Sequence, residues 1–228
     1  MKMRALIDSA EQILAELQNV AVRPMLAWSG GKDSLVVAHI IKEAGLMPYI
    51  SDVVCETSFY FEKQLEDIKK TADSLGWNVT YKDSLGWDWI RKHPEVIFSN
   101  DSRIRGWSFA QRQQKTVADY ARQHGNDAII FGRRTQENTV PSSLYYKKQL
   151  KHWSCHPIKD WSTLDVWNYL ELFNIPIPWI YTNNFGKYSG NSGFFSLRAK
   201  YVGGVDKAWE LVTSLDPNIN KQKVEEYA

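Results

Sequence analysis

The sequence predicts an α/β protein: a three-layer, doubly wound and mostly parallel sheet with a short irregular C-terminal extension. Three observations predict it. Short apolar runs alternate with longer helical patterns, the mark of βαβ units and of a sheet covered on both faces. Two of the runs, Met25–Trp28 and Ala128–Phe131, are continuously apolar, as strands buried on both faces are. Both open into polar, glycine-bearing turns, and ligands of such sheets bind outside the carboxyl ends of the strands.

The elements follow in order. Ile7, Ile13, Leu14 and Leu17 recur at helical spacing, so Met3 to Leu17 reads as an opening helix. Met25–Trp28 is the first strand, and a helix from about Asp33 to Ala44 stops at Gly45. Tyr49–Cys55 reads as a second strand, Phe59–Leu75 as a helix closed by Gly76, and Trp77–Tyr81 as a third strand. Asp83 to Trp107 is less regular, with a short helix around Trp87–Lys92 and a stretch, Ser99–Trp107, that reads either as a lid or as a plain loop. Ser108–His124 reads as one helix ended by Gly125. After the strand Ala128–Phe131, Ser162-Thr163-Leu164-Asp165 opens a helix over Val166–Phe173 as a capping box does. A last helix lies near Val205–Ser214.

The 228 residues suit one domain of ordinary size. The expected division is an N-terminal helix (1–20) packed on the domain, a nucleotide-binding domain (21–190) and a C-terminal extension (191–228). No apolar run approaches the roughly 20 residues of a membrane span, and the charged, amphipathic start is neither leader nor anchor. Two cysteines make no disulfide framework, so a cytoplasmic location is expected. The net charge of +2 conceals an imbalance: Arg103 to Lys159 holds 11 Lys/Arg against 3 Asp/Glu, a local +8. An anionic partner or a solvated basic face explains it equally well. Ten tryptophans are numerous, and most read as core.

The chemistry starts at Ser29-Gly30-Gly31-Lys32-Asp33-Ser34. A strand ends, glycines allow a tight turn, and a helix begins, so backbone N–H groups, two hydroxyls and an ammonium converge on a seat for phosphate. Neither the G-x-x-x-x-G-K-[ST] nor the G-x-G-x-x-G spacing is present. Lys32 suits a leaving pyrophosphate, Ser34 faces phosphate more readily than Ser29, and Asp33 reads first as a helix cap. Arg133 and Arg134 suit bidentate contact with phosphate or sulfate. Arg112, Lys115, Lys147 and Lys148 would extend an anion funnel, although each alone also reads as a surface charge. His152, Cys155 and His156 are close in sequence, but structural zinc takes four ligands from paired elements, and no metal site is assigned.

The six-residue turn resembles the pyrophosphate loop of the ATP-pyrophosphatase (PP-loop) superfamily, whose sulfonucleotide branch often carries this spelling. Further blocks resemble the phosphoadenosine-phosphosulfate (PAPS) reductase family in the right order over about residues 25 to 190. Val53-Val54-Cys55-Glu56-Thr57-Ser58-Phe59 stands where that family ends its second strand and binds the adenine nucleoside. Gly132-Arg133-Arg134-Thr135-Gln136 resembles its strand-end G-x-R-x-x-[QE] element. His156-Pro157-Ile158-Lys159-Asp160-Trp161-Ser162 with Asp165-Val166-Trp167 resembles its P-I-x-D-W-[ST]…D-[VI]-W block. Ile175-Pro176-Ile177-Pro178, Tyr181 and Gly186 resemble its ending.

The resemblance implies an adenine nucleotide alpha-hydrolase-like, Rossmann-like fold and an enzyme that takes ATP, or PAPS, with Mg²⁺. It places Ser29, Gly30, Gly31, Lys32, Asp33, Ser34, Glu56, Thr57 and Gly132 on the nucleotide, with Lys32, Arg133 and Arg134 as the catalytic set. The family's reductases use a cysteine within a C-terminal Glu-Cys-Gly-Leu-His element, and no cysteine follows Cys155 here. The leading expectation is therefore cleavage of ATP between the α- and β-phosphates, with adenylyl transfer to a small anionic acceptor. The sulfate adenylyltransferase small subunit and the FAD synthetases of the same branch work in this way. Sulfonucleotide reduction through another thiol, ATP-dependent activation of nucleic acid for sulfur incorporation, and a non-catalytic nucleotide- or nucleic-acid-binding module stay open. Nucleic acid or a sulfur-carrier protein stand as alternative partners.

Overall fold

The computed structural model describes residues 2–57, 60–83, 89, 92–93, 101–110, 115–137, 140–182 and 203–215. Helix α1 (Lys2–Gln18) buries Ile7, Ala10, Leu14 and Leu17, one face at three- and four-residue spacing. Strand β1 (Pro24–Ala27) leads into α2 (Lys32–Glu43). A 3₁₀ turn at Met47–Tyr49, begun by Pro48, occupies the start of the expected second strand, and β2 runs Asp52–Glu56. Helix α3 (Glu62–Leu75) ends on left-handed Gly76 and precedes β3 (Thr80–Lys82).

The helix expected at Ser108–His124 is described in two stretches, α4 (Ser102–Phe109) and α5 (Thr116–His124), with residues 111–114 outside the described residues. The stretch read as irregular is helical from Ser102, because Asp101 accepts the Arg103 N–H and caps it. The short helix expected around Trp87–Lys92 lies largely outside the described residues.

Strand β4 (Ala128–Phe131) stands as expected. Strands β5 (Leu144–Lys147) and β6 (His152–Cys155) form a hairpin that the pattern did not announce. Helix α6 (Thr163–Leu172) opens with the expected reciprocal Ser162–Asp165 capping box. The four-residue α7 (Trp179–Thr182) and α8 (Val205–Leu215) follow.

The sheet order is β3-β2-β1-β4-β6-β5. Every pairing is parallel except that of β5 with β6. The chain winds outward from β1 to β3 and then returns to place β4 on the other side of β1, so the switch point lies between β1 and β4. Alternate residues of each strand serve opposite faces. Met25, Val54 and Ile129 pack against Val117, Tyr120 and Ala121 of α5. Leu26, Val53, Cys55, Ile130 and Cys155 join the larger core with residues of α1, α2 and α6.

Candidate active site

The loop from β1 to α2 is held by its own hydroxyls. Ser29 N–H donates to Ser34 Oγ (3.1 Å), Gly31 N–H donates to Ser29 Oγ (3.3 Å), and Ser34 Oγ donates to the Gly31 carbonyl (3.0 Å). The Tyr60 hydroxyl clamps the Ser29 carbonyl. Gly30 has φ +64°, and a Cβ there would meet the Ile68 side chain of α3 at 2.2 Å. Backbone conformation and close packing thus both require glycine at this turn.

Helix α2 starts at Gly31 without a side-chain cap, so its first-turn N–H groups keep the positive end of the helix open to an anion. The Tyr181 hydroxyl of α7 accepts one of them, the Lys32 N–H, at 3.2 Å. Asp33 does not cap the helix, contrary to the sequence reading. Its carboxylate instead joins two cations, Lys32 Nζ at 2.7 Å and Arg134 Nε at 2.6 Å.

Those contacts belong to a four-residue ionic cluster. Glu137 Oε1 accepts from Arg134 at 2.6 Å and lies 3.3 Å from Lys32 Nζ. Lys32 and Arg134 are fully buried, and a buried charge survives only when paired. Burial alone would pull the Lys32 pKa down, but the Tyr181 phenol, Asp33 and Glu137 outweigh it and hold the ammonium above the ordinary lysine value. Arg134 also donates to Gln136 Oε1 (3.2 Å), Thr163 Oγ1 (3.2 Å) and the Trp161 carbonyl (3.4 Å). Its guanidinium is spent on the protein, which departs from the expectation that it would face an anion. Glu137 was missed by the sequence reading, although counting the G-x-R-x-x-[QE] element from Gly132 places its last position there.

The β4 turn meets this loop directly. A Cβ on Gly132 would lie 2.6 Å from Ser34 N and 2.7 Å from the Asp33 carbonyl carbon, so glycine is what lets the two strand ends close on one rim. Arg133 points elsewhere than Arg134. It is half-buried, with its guanidinium 4.4 Å from the Phe131 ring centroid, and burial lowers its pKa. Half-buried Lys147 on β5 is also lowered, first by burial and then by Arg133.

Glu56 is buried at the end of β2, and Thr57 is tied to β3 through its N–H to the Lys82 carbonyl (2.8 Å). Of the remaining funnel candidates, Lys115 pairs with Asp119 at 3.4 Å on the surface and Lys148 is exposed. Arg112 lies outside the described residues. Among the described residues no group of three His, Cys, Asp or Glu is placed to hold a metal ion. The β pleat splits the suspected trio: Cys155 faces the core beneath α1, whereas His152 and His156 face the opposite side. Both thiols are buried, and burial pushes their pKa far up, so neither is an accessible thiolate nucleophile. No described helix is long and apolar enough to cross a membrane.

Comparison with known proteins gives the family and the fold. The model of the phosphoadenosine phosphosulfate reductase domain matches residues 23–189, which contain both strand ends and the ionic cluster. Sulfate adenylyltransferase subunit 2 of Shewanella loihica is 24% identical over 208 residues, covering 77% of this chain. The chain spans 64% of the length of that relative. The same-named protein of Mycolicibacterium gilvum is 24% identical over 220 residues, covering 88% of this chain and 71% of the relative.

Among solved structures, the PAPS reductase of Candida auris in a phosphate complex superposes with a TM-score of 0.61 at 14% identity, covering 84% of this chain and 93% of that one. Candida glabrata FMN adenylyltransferase with FMN and the ATP analogue AMPCPP gives 0.58 at 14% identity, covering 84% and 62%. These two likenesses establish the fold. With the domain match running from the residue before β1 to beyond α7, the chain belongs to the phosphoadenosine phosphosulfate reductase domain family.

Proposed function

We propose that this chain binds ATP on the β1–α2 loop, cleaves it between the α- and β-phosphates and transfers the adenylyl group to an anionic acceptor. The observation that carries this reading is the contact of Gly132 with the first turn of α2. It sets an uncapped helix N-terminus and Lys32 against the strand end that bears Arg133.

An acceptor oxygen attacks the α-phosphorus, the bond to the α–β bridging oxygen breaks, and pyrophosphate leaves with the electron pair. Negative charge grows on that pyrophosphate. The first-turn N–H groups of α2 and the Lys32 ammonium would meet it, the ammonium exchanging a carboxylate of Asp33 or Glu137 for phosphate oxygen. Arg133 would approach the acceptor. Arg134 holds Asp33 and Glu137 in place and acts as a positioning residue. Glu56 and Thr57, at the end of β2, would lie along the nucleoside.

Magnesium takes one or two carboxylates beside phosphate oxygens. Here Asp33 and Glu137 are already committed to cations. The cluster does not fit a directly ligated ion.

The names of the relatives support adenylyl transfer, since both the sulfate adenylyltransferase subunits and the FMN adenylyltransferase carry it. Because those relatives are called subunit 2, a second subunit is a proposed partner as well. Reduction through Cys155 is disfavoured by its burial. Incubating the chain with ATP, magnesium and sulfate or a phosphate monoester is expected to release pyrophosphate, with Lys32→Ala slower by about 10²-fold or more, the scale of a lost charge-stabilising donor. Sulfite formed from PAPS and a thiol donor in place of pyrophosphate would contradict the proposal. So would salt-sensitive nucleic-acid binding with no turnover of ATP.

A further inference from the structure

Tyr181 stands outside the residues assigned to the nucleotide, yet it reaches the centre of the β1–α2 loop. Its hydroxyl accepts the Lys32 N–H at 3.2 Å, and the Lys32 ammonium lies 5.7 Å from the centroid of its ring. One phenol thus meets both groups of Lys32 that the proposed function turns toward pyrophosphate, the first-turn N–H and the ammonium.

The fold builds this placement in. Helix α7 docks on α3, where the Asp67 carboxylate accepts the Trp179 N–H at 2.8 Å. Trp179 also packs edge-on against Phe61, at 6.1 Å between centroids and 74° between planes. The next residue of α3, Ile68, is the side chain that crowds Gly30. A single turn of α3 therefore fixes α7 and backs the loop, which sets the reach of Tyr181 to α2. On its other side the Tyr181 ring meets Trp167 of α6 edge to face, at 5.2 Å and 89°.

A neutral phenol oxygen is a weak match for these neighbours. The start of a helix and an ammonium both favour an anion, and a hydrogen bond to a charged acceptor is roughly twice as strong as one to a neutral acceptor. A phosphate oxygen therefore displaces the hydroxyl from the Lys32 N–H. With Trp179 held on α3, rotation of the Tyr181 side chain suffices, and α7 stays in place.

We propose that Tyr181 is a further residue of the nucleotide seat: its hydroxyl takes the position of a pyrophosphate oxygen on the Lys32 N–H, and the terminal phosphates of the nucleotide displace it. The inference rests on the reading that this loop takes pyrophosphate, and it names the group that the ligand exchanges with. It also fixes a sign. A residue that contacts the bound ligand raises affinity, whereas one that must first move aside lowers it.

Calorimetric titration of the full chain tests this, with inorganic pyrophosphate and AMPCPP as separate arms and Tyr181→Phe beside the original chain. Phenylalanine keeps a ring against Trp167 and Lys32 and removes only the hydroxyl. Both ligands are expected to bind Tyr181→Phe tighter by about threefold or more, the scale of one neutral hydrogen bond. Equal affinities would overturn the proposal. So would weaker binding, which would make the hydroxyl a contact of the bound phosphates. Fluorine NMR of the chain carrying 3-fluorotyrosine at position 181 follows the phenol itself: its resonance should move as pyrophosphate saturates the loop, and a fixed resonance would contradict the displacement.

The two claims fail separately. Equal affinities in a chain that still releases pyrophosphate from ATP would sink the role of Tyr181 and leave adenylyl transfer standing. Tighter binding by Tyr181→Phe in a chain that never releases pyrophosphate would do the reverse.

Discussion

Arg133 and Arg134 are adjacent and identical in type, yet the fold gives them opposite duties. Arg134 is fully buried among Asp33, Glu137, Gln136 and Thr163, while Arg133 lies over Phe131 toward Lys147. Removing one member of a buried ion cluster strands its partners. Arg134→Ala should therefore lower unfolding stability by about 3–5 kcal/mol in urea titration, and Arg133→Ala, outside that buried cluster, should lower it by less. Equal losses would mean that both arginines are structural.

Two titrating groups carry signed consequences for pH. Lys32 has a raised pKa, so the stability from its ion pairs is complete below pH 10.5 and is lost only as the pH climbs through the folded value. His156 runs the other way. Burial, and then the charges of Arg133, Lys147 and Lys159, hold its folded pKa at about 3, below the unfolded 6.5, so the folded chain binds fewer protons in between and loses stability as pH falls through that window. The slope reaches at most about 1.4 kcal/mol per pH unit. Urea titrations at pH 7 and pH 5 should show a smaller loss in His156→Phe than in the original chain; equal losses would remove His156 as a cause.

At the scale of elements, the strand–turn–helix units were legible because local chemistry determines them. Continuous apolar runs gave β1 and β4, Gly76 and Gly125 closed α3 and α5 in left-handed conformations, and Ser162–Asp165 capped α6. The β5–β6 hairpin was illegible for a physical reason: Leu144–Lys147 and His152–Cys155 carry lysine, histidine and serine. Pairing of β6 with β4, and of β5 with β6, sets them as strands. The ionic cluster was half legible. Asp33 and Arg134 were singled out, but a sequence names neighbours along the chain and not the 101-residue pairing that joins them. The contact between strand ends gives this level its own test. Gly132→Ala places a methyl group 2.6 Å from Ser34 N, so β4 and the loop must part. AMPCPP affinity should fall by about tenfold or more, in line with a displaced helix N-terminus; unchanged affinity would show that the loop binds without the β4 rim.

For the molecule as a whole, the strand order puts both strand ends at the switch point between β1 and β4, where this class of sheet binds its ligands. The local +8 of Arg103 to Lys159 divides once the fold is seen. Arg134 is held inside the cluster, Lys115, Arg122 and Arg103 pair with nearby aspartates, and Lys148 and Lys151 are exposed. In the proposed function this rim breaks ATP between the α- and β-phosphates. Phosphorus NMR of ATP turned over with sulfate or a phosphate monoester tests it most directly. Pyrophosphate and a new adenylyl ester or anhydride, both missing with Lys32→Ala, are the predicted products; ADP with inorganic phosphate would contradict the account.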